Sequence, residues 1–145
     1  MLIVFPLGLL AMSFVFDLIG IAAKASVWGL VAYWNIAAGL VSGLIAGGFG
    51  LVDLLAIPSG TRAARVGIFH ALLNVVVLGF FAVSFAMRTM TTAPLPNGLM
   101  IAVSGVGLAL ALVSGWLGGE LVEQLGVGVD DHASLDAPSS LRRRR

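Results

Sequence analysis

Apolar residues fill four long stretches of this chain, and polar residues gather in the short intervals between them. The stretches run from about 2 to 23, 30 to 57, 64 to 87 and 99 to 122. A membrane-crossing helix needs about 20 predominantly apolar residues, so each stretch is long enough to span a bilayer. Strict two-residue alternation is missing, and Leu, Ala and Gly are abundant; both features argue for helices over strands. Polar or helix-breaking residues mark the intervals: Lys24 to Gly29, Pro58-Ser59-Gly60 onward, and Arg88 to Gly98 with Pro94 and Pro96. Connections this short make neighbouring helices antiparallel. The pattern predicts an all-α integral membrane protein: a four-transmembrane-helix up-down bundle over residues 1–125 and a polar, mobile C-terminal tail over 126–145.

Composition sharpens that reading. Of the 145 residues, 59% are hydrophobic and 10% charged, against roughly a quarter charged in soluble domains. Seven acids and eight bases cannot coat a water-soluble globule of this size. A soluble enzyme, a nucleic-acid binder and a disordered chain are all disfavoured, and the lipid bilayer becomes the first expected partner. There is no cysteine, which excludes thiolate metal sites and disulfides within the chain. Ala23-Lys24-Ala25 has the look of a signal cleavage site, but no base precedes the first apolar run and the run exceeds the ~7–15 residues of a signal core. It reads as a retained span.

The connections and tail on one side hold Arg62, Arg65 and Arg142 to Arg145, against Lys24 and Arg88 on the other. The positive-inside rule then favours a bacterial cytoplasmic (inner) membrane protein with both termini in the cytoplasm.

Small residues recur at helical spacing. Gly39, Gly43 and Gly47 lie four apart in the second stretch, and Gly107, Ala111, Gly115 and Gly119 in the fourth. Close backbone approach drives helix association in lipid, so both ladders are expected to pack against a neighbouring helix, in this chain or in another subunit. Leu40-Val41-Ser42-Gly43 also recurs as Leu112-Val113-Ser114-Gly115, which either duplication or biased composition accounts for.

Ionisable residues inside spans invite a functional hypothesis. Asp17 lies near the far end of the first span, with Lys24 on nearly the same face and Arg88 on the same side of the membrane. An interfacial snorkelling pair is favoured there over a proton relay. Trp28, Tyr33 and Trp34 fit an aromatic belt at that surface. Toward the other surface come Asp53, Arg62, Arg65, His70 and Glu120, with Asn74 one turn after His70. Ordinary interfacial ion pairing competes there with a polar pocket for an anionic headgroup, a quinone or a metal. Thr61 is placed to cap the third helix.

His70, Asn74 and Asp53 are the candidate cofactor-binding residues, with haem b or quinone as the candidate cofactors. His70 is the only histidine within the spans, His132 lying in the tail. A second axial haem ligand would have to be Met12, Met87 or a residue of another protomer. No nucleotide loop, catalytic triad, HExxH or metal-ligand set is visible, so no enzyme activity is expected.

Phe5-Pro6-Leu7-Gly8-Leu9-Leu10, Phe49-Gly50-Leu51-Val52-Asp53, Pro58-Ser59-Gly60-Thr61-Arg62, His70 with Asn74, Ser114-Gly115-Trp116-Leu117-Gly118-Gly119-Glu120-Leu121 and Gly126-Val127-Gly128-Val129 together carry a resemblance. They resemble the bacterial multi-pass membrane proteins of the domain of unknown function 2231, from the first span into the tail. The resemblance implies a four-span protein without an assigned activity. It further implies kinship with domains joined to Rieske-type or other redox modules, hence service in electron transfer. Members often carry a His-Pro stretch just before the segment matching residues 2–6, and this sequence starts at Met1 without one.

Three roles follow. The leading expectation is a non-catalytic structural or accessory subunit of a larger membrane complex, redox or photosynthetic, assembled with other subunits or as a homo-oligomer. The alternatives are a haem- or quinone-binding electron-transfer protein using His70, and a small transporter or channel.

Overall fold

A computed structural model describes residues 2–91, 95–130, 133, 134 and 136. Pro94, His132, the four terminal arginines and most of the expected mobile tail lie outside the described residues. Four helices account for most of the rest: α1 (Val4–Ala23), α2 (Ser26–Ala56), α3 (Arg62–Thr89) and α4 (Gly98–Gly119). All four are long and apolar enough to cross a membrane, and among the described residues there is no strand. The all-helical, four-span expectation is met.

The helix ends show why the chain turns where it does. Lys24 takes up a left-handed conformation (φ 52°) and donates its N–H to the carbonyls of Gly20 and Ile21. Only Ala25 then separates it from α2. Side chains at Gly20 would collide with this corner, because a Cβ there would stand 3.2 Å from that of Trp28 and 3.1 Å from Leu95 Cδ2. At the next break Ile57 is extended, as a residue before proline must be, and Gly60 adopts φ 80°. Thr61 Oγ1 then accepts from the N–H of Ala64 at 3.1 Å, the predicted cap of α3. Asn97 caps α4 in the same way, accepting from the N–H of Met100 at 3.0 Å.

Two boundaries differ from the hydropathy reading. α2 begins at Ser26, not near residue 30, and α4 runs on into a π-helical turn, Glu120–Gln124. Hydropathy marks the part of a helix that sits in hydrocarbon; hydrogen bonding carries the helix on into the interface.

The helices follow one another around the bundle, α1 against α2, α2 against α3, α3 against α4, and α4 back toward α1. The centre is closed by Leu10, Ile36, Val77 and Phe81, with Leu78, Leu108 and Ala111 packed around them.

The glycine ladders divide. A Cβ on Gly39 would stand 2.5 Å from Leu10 Cδ2, one on Gly43 2.6 Å from Leu78 Cδ2, and one on Gly107 3.1 Å from Phe80 and Phe81. Gly47, Gly115 and Gly119 have nothing within 4 Å, so no helix of this chain packs on them. Geometry explains the split. A four-residue step overshoots one helical turn by about 40°, and two steps swing the ladder away from the contact. On α2 the neighbour also runs out, since Pro6, beside Gly43, lies almost at the start of α1. The repeated tetrapeptides are likewise inequivalent: Gly43 is buried and Ser42 is not, whereas Ser114 is buried and Gly115 exposed.

Candidate functional site

Two polar clusters lie at opposite ends of the bundle, separated by the Leu10–Ile36–Val77–Phe81 plug. The first centres on Asp17. Its side chain is 0% exposed and that of Arg88, in the last turn of α3, is 7% exposed. Arg88 grips the carboxylate with both arms, Nη1 donating to Oδ1 at 2.9 Å and Nη2 to Oδ2 at 2.6 Å. Behind it, Nε and Nη2 make long contacts to Ser84 Oγ at 3.4 and 3.5 Å. Ser84 Oγ in turn lies 2.8 Å from Ser104 Oγ, both residues being fully buried. One turn before Asp17, buried Ser13 donates back to the carbonyl of Leu10 at 2.7 Å. The network joins α1, α3 and α4.

The partner of Asp17 is therefore Arg88, not Lys24, and the pair is buried rather than interfacial. Lys24 is exposed and serves the α1–α2 corner. A bidentate guanidinium satisfies both carboxylate oxygens, and Ser84, backed by Ser104, meets the other edge of Arg88. Sequence reasoning passed over Ser84, Ser104 and Ser13. The available signal was spacing: Ser13 precedes Asp17 by four and Ser84 precedes Arg88 by four, so each serine shares a helical face with a charge. The aromatic belt is also partly internal, since Trp28 stacks on Phe16 at 5.5 Å and Tyr33 on Phe85 at 4.8 Å. Trp34 alone of the three is exposed.

The second cluster ties α3 to α4. His70 Nδ1 lies 2.9 Å from the carbonyl oxygen and 3.1 Å from the hydroxyl of Ser114, while Nε2 lies 3.1 Å from Asn74 Nδ2. The geometry fixes the tautomer: Nδ1–H donates to the Ser114 carbonyl and Nε2 accepts from Asn74. Asn74 also donates to the carbonyl of His70 at 2.9 Å. α4 comes so near that a Cβ on Gly118 would stand 3.2 Å from the imidazole.

Nearer the membrane surface, Arg62 and Glu120 form an ion pair, tying the start of α3 to the π turn. Asp53 and Arg65 are exposed and join neither group. The five charged or titratable residues expected to converge thus form one interfacial ion pair, one half-buried imidazole cluster and two separate surface charges. The Arg62 side chain is 59% exposed, so Arg62→Ala should shift unfolding by less than about 1 kcal/mol, as checked by denaturant titration in micelles.

Haem does not fit the residues present. Nε2 of His70, the nitrogen left to bind an iron, is taken by Asn74, and the described residues hold no second histidine in the bundle. Met87, on the same helix, is about 25 Å further along the axis. No group of three or more His, Cys, Asp or Glu capable of holding a metal occurs among the described residues.

Four apolar helices, polar groups paired internally and a plugged centre define a polytopic α-helical membrane protein. The family model described as "Predicted membrane protein (DUF2231)" matches residues 1–131, and the chain belongs to that family. No curated protein and no solved structure matches it.

Proposed function

We propose that this protein is a non-catalytic structural subunit that associates sideways in the membrane, with a second copy or with another membrane protein. The carrying observation is the set of small residues left uncovered. Gly47, Gly115 and Gly119 have open space where a side chain would be, among exposed Leu44, Phe49, Leu112 and Trp116. All lie toward the end of the bundle where α2 passes into α3. In lipid, a bare glycine groove lets another helix approach closely, gaining dispersion and backbone contacts that side chains would prevent.

The alternatives lack such support. Leu10, Ile36, Val77 and Phe81 fill the axis between the polar clusters, leaving a single chain no continuous polar path. An iron ligand at His70 would have to displace Asn74 from Nε2, and no second imidazole stands in the bundle among the described residues.

The test is the particle mass of the full chain in mild detergent and in bilayer nanodiscs. A 14.9 kDa chain should appear as a multiple of itself or with a stoichiometric partner. Gly47→Leu combined with Gly115→Leu should abolish the association while leaving helicity and thermal unfolding of the single chain unchanged. A wild-type particle holding one chain and no companion in both media overturns the proposal.

A further inference from the structure

Beside the Asp17–Arg88 pair, the same end of the bundle carries an open cleft of about 530 Å³. Its walls come from the first two turns of α2, the end of α3, the α3–α4 connection and the start of α4. Val27, Leu30, Leu95, Pro96 and Met100 make it mostly apolar, and Val27 and Leu30 are themselves more than half exposed on α2. The cleft is thus walled on its outer side by apolar residues exposed on a helix long and apolar enough to span a bilayer.

Its polar lining can meet an anion: Arg88 brings only donors and Tyr33 and Ser26 bring hydroxyls able to donate, and no carboxylate lines the space among the described residues. Arg88 has five N–H groups; its bonds to Asp17 and Ser84 leave one on Nη1 unused. Depth fits as well. Arg88 is in the last turn of α3 and Ser26 is the first residue of α2, so the cleft opens at the end of the bundle, with Tyr33 about two turns deeper. Lys24 and Arg88 against Asp17 leave this end one net positive charge among the described residues.

We propose that the cleft binds the phosphodiester headgroup of an anionic phospholipid, with its acyl chains lying along Val27 and Leu30. A guanidinium with hydroxyl donors and no carboxylate suits a phosphate, and its positive charge disfavours a choline or ammonium group. A free phosphate would share the donors but gain nothing from five apolar wall residues. The inference does not depend on lateral association, because binding is counted per chain.

The experiment is native mass spectrometry of the full chain in neutral detergent, titrated separately with phosphatidylglycerol, phosphatidylcholine and glycerol 3-phosphate. Phosphatidylglycerol should bind at least about fivefold more tightly than phosphatidylcholine, and glycerol 3-phosphate should give no saturable adduct. Arg88 is left intact, since removing it would strand Asp17. Instead, Ser26→Glu sets a carboxylate at the cleft mouth, where the start of α2 favours negative charge and the fold is undisturbed. It should weaken phosphatidylglycerol binding about fivefold, while Ser26→Gln, which keeps a donor there and adds no charge, should weaken it by less than about twofold. Equal binding of the two lipids, or indifference to Ser26→Glu, overturns the site. Glycerol 3-phosphate binding as tightly as the lipid overturns the lipid assignment in favour of a soluble anion.

Discussion

Arg88→Met is expected to destabilise the bundle by about 3–5 kcal/mol, the range for breaking a buried ion pair from one side. The substitution keeps roughly the length and apolar stem of the side chain, so little packing is lost. What it leaves behind is a carboxylate at 0% exposure about two turns inside α1, too short to reach water. Asp17→Leu should hurt less. Arg88 lies in the last turn of α3, and its long stem lets the guanidinium swing outward to the headgroups. Ser84 and Ser104 keep each other satisfied in either variant. The double variant Asp17→Leu/Arg88→Met should therefore recover most of the loss, because an apolar pair of similar volume replaces a desolvated one. Equilibrium unfolding in mixed micelles, followed by circular dichroism over all four proteins, measures this order. A double variant as unstable as Arg88→Met would show that the packing of Arg88, not the stranded charge, carries the effect.

The bundle was legible in the sequence because hydrophobic length and short connections are one-dimensional facts. Four apolar runs broken at Lys24, Pro58-Ser59-Gly60 and Pro96 leave little choice of topology, and Thr61 declares itself as a cap by its neighbours. Partner choice was not legible in the same way. Asp17 has Lys24 seven residues away and Arg88 seventy-one away, and only the packing of α1 across from α3 selects the distant one. Sequence proximity suggested a snorkelling pair; the left-handed corner at Lys24 turns that residue away to other work. His70 and Asn74 share a face by spacing alone, but their closure on Ser114 depends on how α4 is rotated. The same rotation decides which glycines are buried. Periodicity finds a ladder of small residues and cannot say on which rung the neighbouring helix departs.

That difference between rungs gives the second large effect. Gly39→Leu should destabilise the chain by more than the 1–3 kcal/mol typical of overpacking, because even its Cβ would meet Leu10 Cδ2 at 2.5 Å and Cγ at 2.7 Å. Leu10 is itself a buried core residue, 5% exposed, and its backbone nitrogen stands 3.5 Å from the same point. The side chain has nowhere to retreat, so α1 must move off α2, and lipid tails offer no hydrophobic force to push it back. Gly43→Leu should be milder. There the obstacle under 3 Å is only the far end of Leu78, a partly buried side chain that can change rotamer. Gly115→Leu, with nothing within 4 Å, should leave the unfolding of a single chain unchanged. Gly39→Ala combined with Leu10→Ala should recover part of what Gly39→Ala loses, since the second change removes the atoms struck by the first. Thermal unfolding of the series in detergent reads the order directly. Equal loss at Gly39 and Gly115 would mean that both glycines face a helix, and the rotation of α4 described above would have to be abandoned.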